Sequence, residues 1–168
     1  LYSTGGTSDS KSVDVQAAYE SAMSSLLVAM SGANYIHDIA GLMDADLTVS
    51  YEKLVIDNEI LGMCQRVLQG IEVDDDTLAL DLMSEKGPGQ HYIAEEHTVR
   101  FMRQEFFTPE LANRDTRESM TEGDDAMARA RTFVEAVRAE PPASLLPENQ
   151  RDGLLAEFPQ IRQPSTTT

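Results

Sequence analysis

At 168 residues with 41% apolar content, the chain is long enough to bury a core, and it holds no apolar run of the length that a bilayer crossing needs. Its net charge of −16 leaves no basic patch to displace phosphate counterions, which disfavours nucleic acid and suits a cationic substrate or a basic protein partner. The single cysteine, Cys64, has no internal disulfide partner and no signal peptide precedes the first element, so a reducing cytoplasm is the expected compartment.

The chain starts on Leu1, without an initiator methionine, in what reads as the end of a strand, so it is expected to be the carboxyl-terminal portion of a longer protein. Gly5-Gly6-Thr7-Ser8-Asp9-Ser10-Lys11 then forms a loop that feeds a helix predicted over 14–30, followed by an apolar, buried strand-like run over 32–39. Small residues in that helix (Ala17, Ala18, Ser21, Ser25, Ala29) suit close packing on a sheet. Residues 34–37 read as a barrel strand with His37 and Asp38 at its exit. Loop, helix and strand in this order are how an α/β barrel presents reactive groups at the carboxyl ends of its strands.

Ser50, with Glu52 in the next turn, starts a second helix whose Ile56, Ile60, Met63, Cys64, Val67, Leu68 and Ile71 form an apolar stripe that Gly70 helps to end. Asp74, Asp75 and Asp76 place acid at the start of a helix predicted over 77–86, which Gly87-Pro88-Gly89 stops; Gln90, His91 and Tyr92 follow as a loop. A helix is predicted over 97–107, with Val99, Met102 and Phe106 on one face. Another is predicted over 124–139, with Ala126, Ala130, Phe133, Val134 and Val137 inward, until Pro141-Pro142 breaks it. Beyond lie one short helix over about 151–158 and a disordered tail at 163–168.

The segments Ser8-Asp9-Ser10-Lys11, Ser31-Gly32-Ala33-Asn34, Leu54-Val55-Ile56-Asp57-Asn58-Glu59-Ile60, Gly70-Ile71-Glu72-Val73-Asp74 and Gly87-Pro88-Gly89 resemble the trimethylamine methyltransferase family, in the family's order. The resemblance implies an α/β fold, the carboxyl-terminal part of a TIM (β/α)8 barrel followed by extra helices. Residues 1–112 would supply the last βα units, 113–162 a helical extension and 163–168 the tail; a full barrel needs about 250 residues, so activity would require the missing amino-terminal part. It further implies an enzyme that moves a methyl group from a small methylated amine to the cobalt(I) of cobalamin, carried as a corrinoid by a partner protein and not bound covalently by this chain. The family's pyrrolysine position falls on Thr7, so the chain resembles the branch without pyrrolysine, whose members demethylate quaternary amines such as glycine betaine. A shifted alignment would instead leave a pyrrolysine upstream. Departures from the family are Met120, in place of tryptophan, and His91-Tyr92-Ile93, in place of a His-Phe-Leu-like run.

A quaternary ammonium already carries a neutral leaving group, so its pocket needs only to align one methyl, using aromatic faces and a carboxylate. The family match assigns Thr7, Asp9 and His37 to that substrate pocket, against the plainer readings of a strand-to-helix turn and a structural histidine. Tyr35 shares the face of His37 if the strand alternates and is a cation–π candidate, or core. Gln90, His91 and Tyr92 would meet the corrinoid protein or be a solvated connector. Asp57, Asn58 and Glu59 read as hydrogen-bonding groups for neighbouring loops rather than catalysts. His37, His91 and His97 lack metal-ligand spacing, Cys64 reads as a small buried hydrophobe, and no bound metal is expected. The competing reading is a non-catalytic interaction or assembly module, with exposed barrel edges covered by a partner or by a second copy in a homo-oligomer.

Overall fold

In the computed structural model, which describes residues 1–119, 121–140 and 146–161, the chain opens with a β-α-β unit. Strand β1 (Tyr2–Thr4) pairs in parallel with β2 (Tyr35–His37) in the register Tyr2↔Tyr35, Ser3↔Ile36, Thr4↔His37, and α1 (Val15–Met30) makes the crossover. Asp14 accepts from the Ala17 amide at 3.0 Å and so caps α1 where the sequence places its start. Ala17, Ser21 and Ser25, spaced four apart, are its buried residues, and their small side chains let α2 pack close.

A hairpin of β3 (Leu42–Met43) and β4 (Thr48–Val49) follows, turned by Asp44, Ala45 and Asp46 at φ of 54°, 52° and 66°. The sequence reading had no element here, because two-residue strands carry no periodicity. Ser50 caps α2 (Tyr51–Gln69) and Gly70, at φ 69°, ends it, as expected. Its most buried face shares Cys64 with the apolar stripe but is otherwise polar. Lys53, Asp57 and Cys64 are buried, whereas Val67 and Leu68 are exposed, because the helix turns a buried ion pair toward α1.

The single helix expected over 77–86 is two: α3 (Asp75–Leu78) and α4 (Leu80–Lys86), separated by Ala79 in the left-handed region. Asp74 and Thr77 form a reciprocal capping box that starts α3 early. His97 then binds the Asp76 carbonyl at 2.8 Å, the acceptor that a continuing helix would need for residue 80. Likewise the helix expected over 97–107 stops as α5 (Glu96–Phe101). The Arg66 guanidinium on α2 donates to the Glu105 carbonyl at 2.7 Å and pairs with its carboxylate; that carbonyl has no helical donor, because Pro109 lacks an N–H. Val99, Met102 and Phe106, expected on one face, are exposed.

Contacts divide the chain into Leu1–Ala136 and Val137–Thr168. Helix α6 (Ala126–Ala139) buries Ala130 and Val134 but exposes Phe133 and Val137, which the sequence had placed inward. The second unit carries α7 (Glu148–Glu157), which starts three residues before the expected 151. The tail at 163–168, Pro141, Pro142 and Met120 lie outside the described residues. No helix among the described residues is long and apolar enough to cross a membrane. The architecture is thus mixed helix and sheet, with small sheets and one parallel β-α-β unit.

Candidate functional site

Strand alternation puts Tyr2, Thr4, Tyr35 and His37 on one face of the parallel pair and Ser3 and Ile36 on the other. Ile36 lies on the α1 side, its Cγ2 3.4 Å from where a Cβ on Gly5 would sit. The opposite face is aromatic. The Tyr2 ring stacks on Tyr35, with centroids 5.4 Å apart, and on His37 at 4.6 Å, both nearly parallel. Tyr2 and Tyr35 are 65% and 63% exposed, so neither ring is packed into the interior of residues 1–168. His37 Nδ1–H donates to the Ser3 carbonyl at 2.9 Å, which holds the ring at the strand exit, and Nε2 lies 3.2 Å from Asp38 Oδ2, with which it pairs only in the imidazolium form. The sequence does not single out Tyr2, since only the parallel register shows that it shares the Tyr35 face.

The loop after β1 is organised by Glu20 of α1. Its carboxylate accepts from the Ser8 hydroxyl at 2.6 Å, from the Asp9 amide at 2.9 Å and from the Gln16 side chain at 2.9 Å. The Ser8 hydroxyl, then Gln16, hold this carboxyl below its ordinary range. Thr7 and Asp9 line a shallow groove of about 500 Å³ with Tyr19, Glu20, Met23 and Leu27 of α1. Lys11 pairs with Asp44 at 3.1 Å, and the Asp44 amide donates to the Ser10 carbonyl, tying the hairpin to this loop.

Beneath the strand exits lies a polar knot that the sequence reading anticipated only in part. Asp57 accepts from the Gly41 amide at 2.8 Å, and Glu59 accepts from the amides of Glu110, Leu111 and Ala112 at 2.6, 2.6 and 3.1 Å. Both carboxylates thus bind neighbouring loops. The role of Lys53, paired with Asp57 at 2.5 Å, was missed; its signal was the Lys–Asp spacing of four on a helix.

Gln90, His91 and Tyr92 lie in the α4–α5 connection, where Gln90 and His91 are exposed and Tyr92 is half-buried. The expected site residues therefore occupy three settings: the groove on α1 (Thr7, Asp9), the aromatic strand face (Tyr35, His37) and this connection. Larger concavities, of about 630 Å³ along α2 and about 570 Å³ beside α5, contain none of the strand-exit residues. Among the described residues, no group of three or more His, Cys, Asp or Glu side chains is arranged to hold a metal. Burial pushes the Cys64 thiol up, away from a reactive thiolate.

The profile of the trimethylamine methyltransferase (MTTB) family matches residues 1–166. A glycine betaine methyltransferase of Desulfitobacterium hafniense (strain Y51) is 39% identical over 112 residues, 67% of this chain and 23% of that protein. Trimethylamine methyltransferase MttB of Desulfitobacterium hafniense (strain DSM 10664 / DCB-2) is 34% identical over 133 residues, 79% of this chain and 26% of that protein. Trimethylamine methyltransferase MttB of Methanosarcina barkeri is 41% identical over 97 residues, 58% of this chain and 19% of that protein. The chain spans about a quarter of the length of the first two of these curated relatives.

Proposed function

This chain belongs to the trimethylamine methyltransferase family, and from that premise we propose that it is the carboxyl-terminal part of a TIM barrel that demethylates a small methylated amine, a glycine betaine-like quaternary ammonium being favoured. The corrinoid of a partner protein would supply a cobalt(I) centre as methyl acceptor. The residues of this chain have the other tasks: to bind the cation, aim one methyl outward and exclude water.

The observation that carries this reading is the aromatic face formed by Tyr35, Tyr2 and His37 on parallel strands, on the side opposite α1. In a closed barrel that face looks inward at the strand exits, where such folds hold their substrates. Ring faces carry negative potential and attract a quaternary ammonium without needing a hydrogen-bond donor from it. Thr7 supports the quaternary donor, as does the likeness to a glycine betaine methyltransferase. Gln90, His91 and Tyr92 form the surface proposed for the corrinoid protein, and a cytoplasmic location fits the lone buried Cys64.

The test is loss of cob(I)alamin absorbance by the complete protein with its corrinoid partner, offered glycine betaine, other betaines, carnitine and trimethylamine. Turnover with a quaternary donor is expected. Tyr35→Ala should lower kcat/KM about tenfold, the worth of one partly desolvated cation–π contact. No turnover with any donor would overturn the enzyme reading in favour of an assembly module, which the exposed stripe Val15, Tyr19, Met23, Leu27 and Met30 along α1 also suits.

A further inference from the structure

The ammonium of Lys53 is 1% exposed and reaches three acceptors, the number it can serve: the Gly6 carbonyl at 3.0 Å, Ser21 Oγ at 2.7 Å and Asp57 Oδ2 at 2.5 Å. Ser21 Oγ donates in turn to the same Gly6 carbonyl at 2.7 Å, and the Gly6 amide donates to Ser24 Oγ at 3.0 Å. Asp57 Oδ2 also takes the Gly41 amide at 2.8 Å. Gly6 follows β1 and Gly41 follows β2, so a single ion pair on α2 ties both strand exits to α1. The exits also touch directly, since a Cβ on Gly6 would lie 1.9 Å from the Ile39 carbonyl oxygen.

Stability alone does not account for this arrangement. Two charges taken wholly out of water contribute little net stability compared with apolar side chains of the same volume. Asp57 moreover leaves Oδ1 buried without a partner among the described residues, which adds cost. What hydrogen bonds provide and apolar contacts do not is direction, and here they are aimed at two backbone points, the Gly6 carbonyl after β1 and the Gly41 amide after β2.

We propose that Lys53 and Asp57 are positioning residues, which fix the exits of β1 and β2 against one another and thereby hold Tyr2 of β1 against Tyr35 and His37 of β2, the aromatic face assigned to the amine's cation. This rests on the reading of those exits as the amine pocket. The pair touches neither donor nor corrinoid, and it acts through the Gly6 carbonyl and the Gly41 amide.

The experiment measures KM and kcat for the preferred amine in the complete enzyme, its Asp57→Asn variant and its Ser21→Ala variant, with folding checked by circular dichroism. A purely structural role would reduce the folded fraction, hence apparent kcat, and leave KM unchanged. Positioning raises KM, by at least about fivefold in Asp57→Asn and about twofold in Ser21→Ala, since misaligned contacts weaken donor binding itself. If Asp57→Asn does not fold, Ser21→Ala, which retains the ion pair and removes one link to Gly6, decides alone. Wild-type turnover with unchanged KM in every folded variant overturns the inference and leaves the enzyme reading standing. A wild-type enzyme inactive with every donor removes both.

Discussion

Gly6 and Gly32 both hold a left-handed backbone, at φ of 77° and 84°, but a methyl group added to each meets different surroundings. At Gly32 no atom of the described residues beyond its chain neighbours lies within 4 Å, whereas at Gly6 the Ile39 carbonyl oxygen is 1.9 Å away. Gly32→Ala should therefore cost about 1 kcal/mol from backbone conformation alone. Gly6→Ala should cost about 3 kcal/mol or more, because the overpacking adds to it and the clash is with backbone that cannot rotate aside. Thermal melts of the two variants of the complete protein check this, and equal shifts would refute it. Glu20 makes a second prediction at this scale, in pH. Its folded value lies below the ordinary 4.5, chiefly through Ser8. Above 4.5 the interaction contributes in full; as pH falls, the unfolded chain takes up the proton first, and the contribution is gone once pH has passed through the lowered folded value. Asp14, lowered by the Ala17 amide, acts in the same sense. The midpoint of unfolding should thus decline as pH falls below 4.5, and less steeply in Glu20→Gln.

Helix α2 shows how an element can be well placed by sequence and still face the wrong way. Its Ser50 cap and Gly70 stop were legible, because both act through groups local in the chain. Its buried face was not, since apolar periodicity gives no weight to Lys53 and Asp57, whose burial depends on Ser21 and on two distant backbone groups. Glu59, on the same helix, holds the three successive amides of Glu110, Leu111 and Ala112. Glu59→Ala should destabilise the protein by about 2 kcal/mol, the scale of hydrogen bonds to a charged acceptor. In native-state hydrogen exchange those three amides should lose protection before the body of α2 does; simultaneous loss would mean that Glu59 does not anchor the loop.

At the scale of the molecule, many large apolar side chains remain exposed, among them Leu1, Val15, Met30, Leu47, Ile71 and Ile93. The chain spans about a quarter of its longer relatives, and a parallel pair of strands is far from a closed sheet. Residues 1–168 produced alone should therefore self-associate in a concentration-dependent way, by sedimentation, whereas the complete protein should show one defined assembly. A stable monomer of 1–168 would show that these surfaces need no cover.

The sequence by itself determined where α1 and α2 begin, that a strand lies within residues 34–37, and the family, because caps, glycine stops and segment motifs are written in neighbouring residues. Thr7 and Asp9 in a strand-exit loop and His37 at a strand end were legible for the same reason. Tertiary structure alone decided that Tyr2 joins Tyr35 and His37, since a parallel register links residues more than thirty positions apart. It also decided the break at Ala79, where His97 takes an acceptor from the helix ladder, and the Lys53–Asp57 knot, where four separate segments converge on one ion pair. Each of these turns on hydrogen bonds between distant segments, which periodicity along the chain does not record.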